Sequence, residues 1–268
     1  MELLRILSSP RIIDTLLALK DSPKKRNELK TVLNVSTSHM VQILGKATSL
    51  KLVEQKGEYY TITPKGSLVL SVCELVKDYD RLMEKFDVLN EYSFDFLPDY
   101  LLERLYQLSK ARVVEKKEDT FRPHEEFVKA VLEARTIKGY TSIFFPEHVS
   151  LFSSVVDEKE YVGIIASRDV MREILLNYRD ELKWGISKKN VGFYLSKKDV
   201  KFSFIVTDKV LISYFYFRNG FFDYRRELIC SSSDCIEWGE DLYEYMLESS
   251  IRVRPENVDT LAQEILED

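Results

Sequence analysis

The stretch VSTSHMVQILGKATSLKLVEQKGEYYTITPKG, Val35 to Gly66, carries a helix signal followed at once by a hairpin signal. Ser36 is placed to cap a helix whose apolar positions Met40, Ile43, Leu44 and Ala47 share one face. Thr37, Ser38, His39, Gln42 and Lys46 fall on the opposite face. KLVEQ and YYTIT then read as two short strands around Lys56-Gly57, with Pro64-Lys65-Gly66 closing the second.

Upstream, SSPRIIDTLLALKDSP predicts a helix with an Ile12, Ile13, Leu16, Leu17 and Leu19 face between a Ser-Pro start and a Ser-Pro stop. KKRNELKTVLN predicts a second, short helix ending at Asn34. Its Leu29, Val32 and Leu33 face inward, with Lys24, Lys25, Arg26 and Lys30 outside. Three helices and a hairpin in this order make a winged helix-turn-helix. Thr37, Ser38, His39 and Gln42 have the short donors and acceptors that reach base edges, while Lys24, Lys25, Lys46 and Lys56 suit phosphates.

Charge supports the same division. Residues 1 to 66 hold 11 Lys and Arg against 6 Asp and Glu, a net +5. The remainder holds 28 against 38, a net −10, which together give the −5 of the 268-residue chain. A basic end on an acidic body fits a protein of which one part meets a polyanion such as double-stranded DNA. The length predicts two domains. The first 20 residues are interrupted by Arg5, Arg11, Asp14 and Lys20 at helical spacing, so they read as an amphipathic helix rather than a leader. No run approaches the roughly 18 apolar residues of a membrane span, so a cytoplasmic protein without a membrane partner is expected. Cys73, Cys230 and Cys235 are too few and too irregular for a disulfide framework or a zinc site, and are expected as plain thiols.

The quoted stretch resembles the third helix and wing of ArsR-like winged-helix regulators. The resemblance lies in the small-residue helix start, the spaced leucines and a Leu-Thr-x-x-Gly-like wing exit. Here Ile62 replaces the leucine and Lys51 stands where glycine is usual. The paired cysteines of the metal-sensing members are missing, so metal sensing is not implied.

Residues 67–92 read as a linker helix. Leu68, Val72, Leu75, Tyr79, Leu82, Phe86 and Leu89 recur at spacings of four and three, widened by Val69, Val76 and Met83. Such a stripe packs either on its own protein or, the favoured reading, on a second copy in a homodimer, setting the separation of two reading heads.

Residues 93–252 alternate helices and strands and predict an α/β domain with a mixed sheet, so that the whole is a two-domain α+β / α/β protein. YLLERLYQLSKARVVE and HEEFVKAVLEART read as helices and GYTSIFF as a strand. YVGIIAS, VGFYLS, KFSFIVTD, VLISYFYF and RELIC follow as strands, with helices from Glu147, Arg168 and about Ser233. LPDYLLERLYQL, SIFFPEH, FIVTDKVLISYFYFRNGFFD and CIEWGEDLYEYMLESS resemble the C-terminal domain of the archaeal methanogenesis/filamentation regulatory protein family. That resemblance implies a DNA-binding regulator whose second domain senses a small molecule of unspecified identity. Residues 253–268 read as a helical tail on the same domain.

An enzyme is not expected. A phospholipase D-like site needs a His-x-Lys pair, which neither His124 nor His148 provides, and HEEF lacks the second histidine of HExxH. No cofactor is implied. For a sensor pocket the candidates are the aromatics Phe144, Phe145, Tyr194, Tyr214, Tyr216 and Trp238 with polar anchors His148, Arg168 and Asp208. The alternative to a DNA-binding regulator is a winged helix serving as a protein-protein or assembly module.

Overall fold

Pro10 has no N–H to give to a preceding turn, so it breaks the apolar N-terminus into α1 (Glu2–Leu7) and α2 (Pro10–Leu19), where it occupies the first turn. The computed structural model describes residues 2–85, 89–115 and 125–267. Two compact units result, Met1–Asp80 and Arg81–Asp268.

In the first unit α3 (Arg26–Val32) and α4 (Thr37–Ser49) are joined by a tight turn in which Asn34 takes φ +48°. The Ser36 hydroxyl accepts from the His39 N–H at 3.2 Å, capping α4 as its sequence demands. β2 (Val53–Lys56) and β3 (Tyr59–Ile62) form an antiparallel hairpin with Lys56 opposite Tyr59 and Gly57 at φ +61°. Lys24 and Lys25 form β1 (Lys24–Lys25) against β3, which corrects their expected place on a helix: extended backbone here supplies the third strand. Ile12, Leu16, Leu19, Leu29, Met40, Leu44 and Leu52 make the core.

The wing exit explains its own residues. The Thr63 hydroxyl donates to the Lys51 carbonyl at 2.7 Å and accepts from the Gly66 N–H at 3.1 Å. A Cβ on Gly66 would stand 2.2 Å from the Leu52 carbonyl oxygen, so only glycine fits. Lys51 is held at φ +59°, the left-handed region in which glycine is strain-free.

α5 (Pro64–Glu84) buries Val69, Leu70 and Cys73 in this core. The first unit therefore runs to Asp80, beyond the expected boundary at residue 66, because the hairpin and three helices alone leave that apolar surface uncovered. Of the expected stripe, Leu68 is 70% exposed, with Leu75, Val76 and Met83 also exposed, while Val69 is inside with Leu70. Leu82 and Leu89 are buried in the second unit's core, and Phe86 lies outside the described residues.

The second unit is built on one eight-stranded sheet in the order β11-β7-β6-β5-β8-β9-β10-β4. Its strands are β4 (Arg112–Glu115), β5 (Thr136–Thr141), β6 (Tyr161–Ala166), β7 (Val191–Ser196), β8 (Phe202–Thr207), β9 (Leu211–Phe215), β10 (Arg226–Cys230) and β11 (Ser250–Val253). β5, β6 and β7 are parallel neighbours and the remaining pairings are antiparallel, giving a mixed sheet.

The helices of this unit are α6 (Asp99–Leu102), α7 (Glu125–Glu133), α8 (Pro146–Val155), α9 (Arg168–Asn177), α10 (Arg179–Ile186), α11 (Ser233–Glu248) and α12 (Val258–Leu266). Alternate side chains divide the sheet's two faces. Tyr140, Ile165, Phe204 and Val206 lie in one core with Trp238 and Leu242 of α11. Ile137, Val162, Ile205 and Ile212 lie in another with Phe127 and Val131 of α7. Val258, Leu261 and Ile265 of α12 pack with Val170 and Met171 of α9, so the tail docks on its own unit.

Three local readings change. YLLERLYQLSKARVVE is one helical turn, a 3-10 segment (Leu105–Lys110) and β4, not a helix, because β10 offers Arg112–Glu115 a strand partner. β5 begins at Thr136, so SIFF lies in the loop after it. Cys230 and Cys235 form a disulfide rather than plain thiols, since the end of β10 and the start of α11 bring their Cα atoms to 6.0 Å.

Candidate functional site

The outer face of α4 carries Thr37, Ser38, His39, Gln42 and Lys46, all exposed. The buried Met40, Ile43, Leu44 and Ala47 fix that orientation by anchoring the opposite side of the helix. Two residues not foreseen share the outer face: Val41, exposed, and Gly45, whose Cα faces open space. Together they make a largely polar helix surface with methyl groups from Thr37 and Val41, the kind of surface that approaches base edges closely.

The basic groups around this face divide by how they are held. Lys46 makes no ion pair with a described residue. Lys25 Nζ sits 2.6 Å from Glu58 and Lys56 Nζ 2.6 Å from Glu54, while Lys24 Nζ donates to the Ser22 hydroxyl at 2.9 Å. Pairs this exposed contribute at most about 1 kcal/mol, so a phosphate can replace either carboxylate.

In the second unit α8, α9 and α10 cover the β5-β6-β7 edge of the sheet incompletely. They leave an apolar cavity of about 140 Å³. Phe144, Val149, Phe152, Val162, Ile164, Ile174, Trp184 and Phe193 are on its lining, with Thr141, His148, Ser153, Tyr178 and Glu181 as polar members. His148 is stacked on Phe127 at 4.7 Å between ring centres and has Phe145 and Phe152 at its edges. Its ring nitrogens have no hydrogen-bond partner among the described residues, and burial pushes the imidazole down to about 4. It is therefore neutral at physiological pH.

The other candidate anchors lie elsewhere. Arg168 donates to the Glu264 carbonyl at 2.8 Å and lines a separate polar cleft with Lys198 and Asp199, because α9 starts beyond the end of β6. Tyr194 points to the opposite sheet face, 3.5 Å from the Tyr161 hydroxyl. Trp238 is buried in the core and donates its indole N–H to the Leu101 carbonyl. Asp208 accepts from the Arg135 and Thr136 N–H groups. Burial pushes its carboxyl up, but those bonds outweigh it and hold the group below the usual range. Asp223 is buried and accepts from the Tyr92 hydroxyl and the Arg226 guanidinium.

Residues 120–249 match the family model for the middle domain of methanogenesis regulatory protein FilR1. An uncharacterized HTH-type transcriptional regulator of Methanocaldococcus jannaschii is 29% identical over 99 residues, covering 34% of this chain and 92% of its own. Among solved structures, TrmBL2, an archaeal chromatin protein that binds DNA, superimposes with a TM-score of 0.44 at 13% identity, covering 90% of this chain and 92% of its own. The phospholipase D family member Nuc from Salmonella typhimurium gives a TM-score of 0.38 at 10% identity over 54% of this chain and 97% of its own. No described helix is long and apolar enough to cross a membrane.

Proposed function

We propose that this chain is a DNA-binding transcriptional regulator, with the first unit as a winged-helix reader and the second as a small-molecule sensor. The observation that carries the reading is the exposed Thr37, Ser38, His39, Gln42 and Lys46 face of α4, held behind a tight turn and followed by an antiparallel hairpin. The likeness to an HTH-type transcriptional regulator and to the FilR1 middle domain supports it. Gln42 and His39 read base edges in the major groove, while Lys46, Lys56, Lys24 and Lys25 hold phosphates. The exposed Leu68, Leu75, Val76 and Met83 of α5 suit a homodimer whose contact sets the distance between two readers. The apolar cavity under α8, α9 and α10 is the sensing site, and the chain acts as a regulator rather than an enzyme. An effector changes operator affinity only to the extent that it binds two conformations unequally.

Fluorescence anisotropy with the duplex upstream of the protein's own gene tests the reading. Binding that weakens steeply with salt and is lost in Gln42→Ala supports it. Binding indifferent to both salt and Gln42→Ala refutes it in favour of an assembly module.

A further inference from the structure

The cavity's shape and chemistry say more than that a ligand binds. Its volume of about 140 Å³ is close to that of an engineered apolar cavity, about 150 Å³, that takes up benzene. One six-membered ring fits in it. No Lys or Arg is on the described lining, and Glu181 is its one charged member. A carboxylate or phosphate entering here would lose its hydration without gaining a cation, a cost of several kcal/mol, so anions are excluded.

His148 is the half-buried imidazole of the lining, to which Ser153 and Tyr178 add hydroxyls. Its ring is wedged against Phe127 and edged by Phe145 and Phe152, with no described hydrogen-bond partner for either nitrogen. A neutral imidazole both donates and accepts, and it takes a hydroxyl proton at the nitrogen that carries none. Of the polar groups on this lining, His148 is the one set among aromatic rings, so it is the partner a ring-borne hydroxyl meets there.

We propose that this cavity binds a neutral, single-ring aromatic molecule bearing one hydroxyl, with the ring among Phe144, Phe152, Phe193 and Trp184 and the hydroxyl on His148. The inference rests on the sensing role given to this unit, and names the chemical class it recognises.

The test is isothermal titration of the full chain with phenol, benzene and benzoate, together with thermal unfolding. Phenol is expected to bind at one site and raise Tm, benzene to bind about tenfold more weakly for want of one hydrogen bond, and benzoate not to bind. His148→Phe is expected to abolish the preference for phenol over benzene, and Ile164→Phe, which fills the cavity, to abolish binding of both. The wild-type series decides the matter even where a variant folds poorly. Absence of phenol and benzene binding at millimolar concentration overturns the site. Benzoate binding more tightly than phenol overturns the neutral class, and an unchanged phenol preference in a folded His148→Phe overturns the anchor. DNA anisotropy with and without phenol separates the two readings: phenol binding with unchanged DNA affinity sustains the ligand site and sinks the sensing role.

Discussion

Replacing His148 by phenylalanine removes an imidazole that burial holds far from its ordinary titration, and the consequence is visible in stability against pH. In the unfolded chain the imidazole binds a proton below about pH 6.5. In the folded unit, wedged among Phe127, Phe145 and Phe152, it does so only below about 4. Between those values the unfolded state binds more protons, so folding weakens as pH falls through that window, and the contribution is fully present above it. A displacement of roughly two and a half pH units corresponds to about 3 kcal/mol at most, or roughly 5–10 °C in Tm for a unit of this size. Carboxylates also titrate in this range, so the wild type must be compared with His148→Phe. Urea titrations at about pH 7 and about pH 4.5, followed by tryptophan fluorescence, are expected to show the wild type losing stability that the variant keeps. Parallel losses in the two proteins would refute the account of His148 as a neutral, dry imidazole.

Gly66→Ala sets a Cβ against the Leu52 carbonyl oxygen, and is expected to destabilise the first unit by about 2 kcal/mol or more, read as an earlier unfolding transition by calorimetry. Lys51→Gly relieves a left-handed backbone and is expected to leave stability unchanged or raise it by up to about 1 kcal/mol, checked by the urea midpoint. Asp208→Asn removes a carboxylate whose depressed pKa contributes stability above its unfolded value near about 4. The wild type is therefore expected to lose that increment as pH falls below about 4 while the variant lacks it throughout, measured by acid titration of the circular dichroism. Lys46→Ala is expected to lower the slope of DNA affinity against salt by about one unit without changing sequence preference, determined by anisotropy on two duplexes.

How much of this was legible in the chain depends on how local the cause is. Ser36, the Met40-Ile43-Leu44-Ala47 face, the Gly57 turn and the Thr63-x-x-Gly66 exit each act over a few residues, and α4 and the hairpin are where those residues put them. VGFYLS and RELIC likewise mark β7 and β10 at their own bounds. β4 and β11, four residues each, carry too little periodicity to announce themselves and exist because β10 and β7 supply their partners. Leu68 and Val69 of α5 are equally apolar, and only the neighbouring core decides that Val69 is inside and Leu68 outside.

The candidate pocket residues were the least legible. Phe145 and His148 lie in or beside the cavity, but Arg168, Tyr194, Asp208 and Trp238 are committed to a polar cleft, the opposite sheet face, a turn and a core. An aromatic or a carboxylate near a strand end has the same local signature whether it lines a void or fills one. By itself, then, the sequence determined the helix-turn-helix and hairpin order, the basic end on an acidic body and the mixed α and β character of the rest, because caps, turns and periodicity are short-range. The tertiary structure alone decided which face of α5 is buried, that Cys230 and Cys235 meet, and where three helices leave room over the sheet. The buried face of α5 and the space over the sheet depend on segments far apart in the chain, and the Cys230–Cys235 pair, five residues apart, depends on the angle at which β10 meets α11.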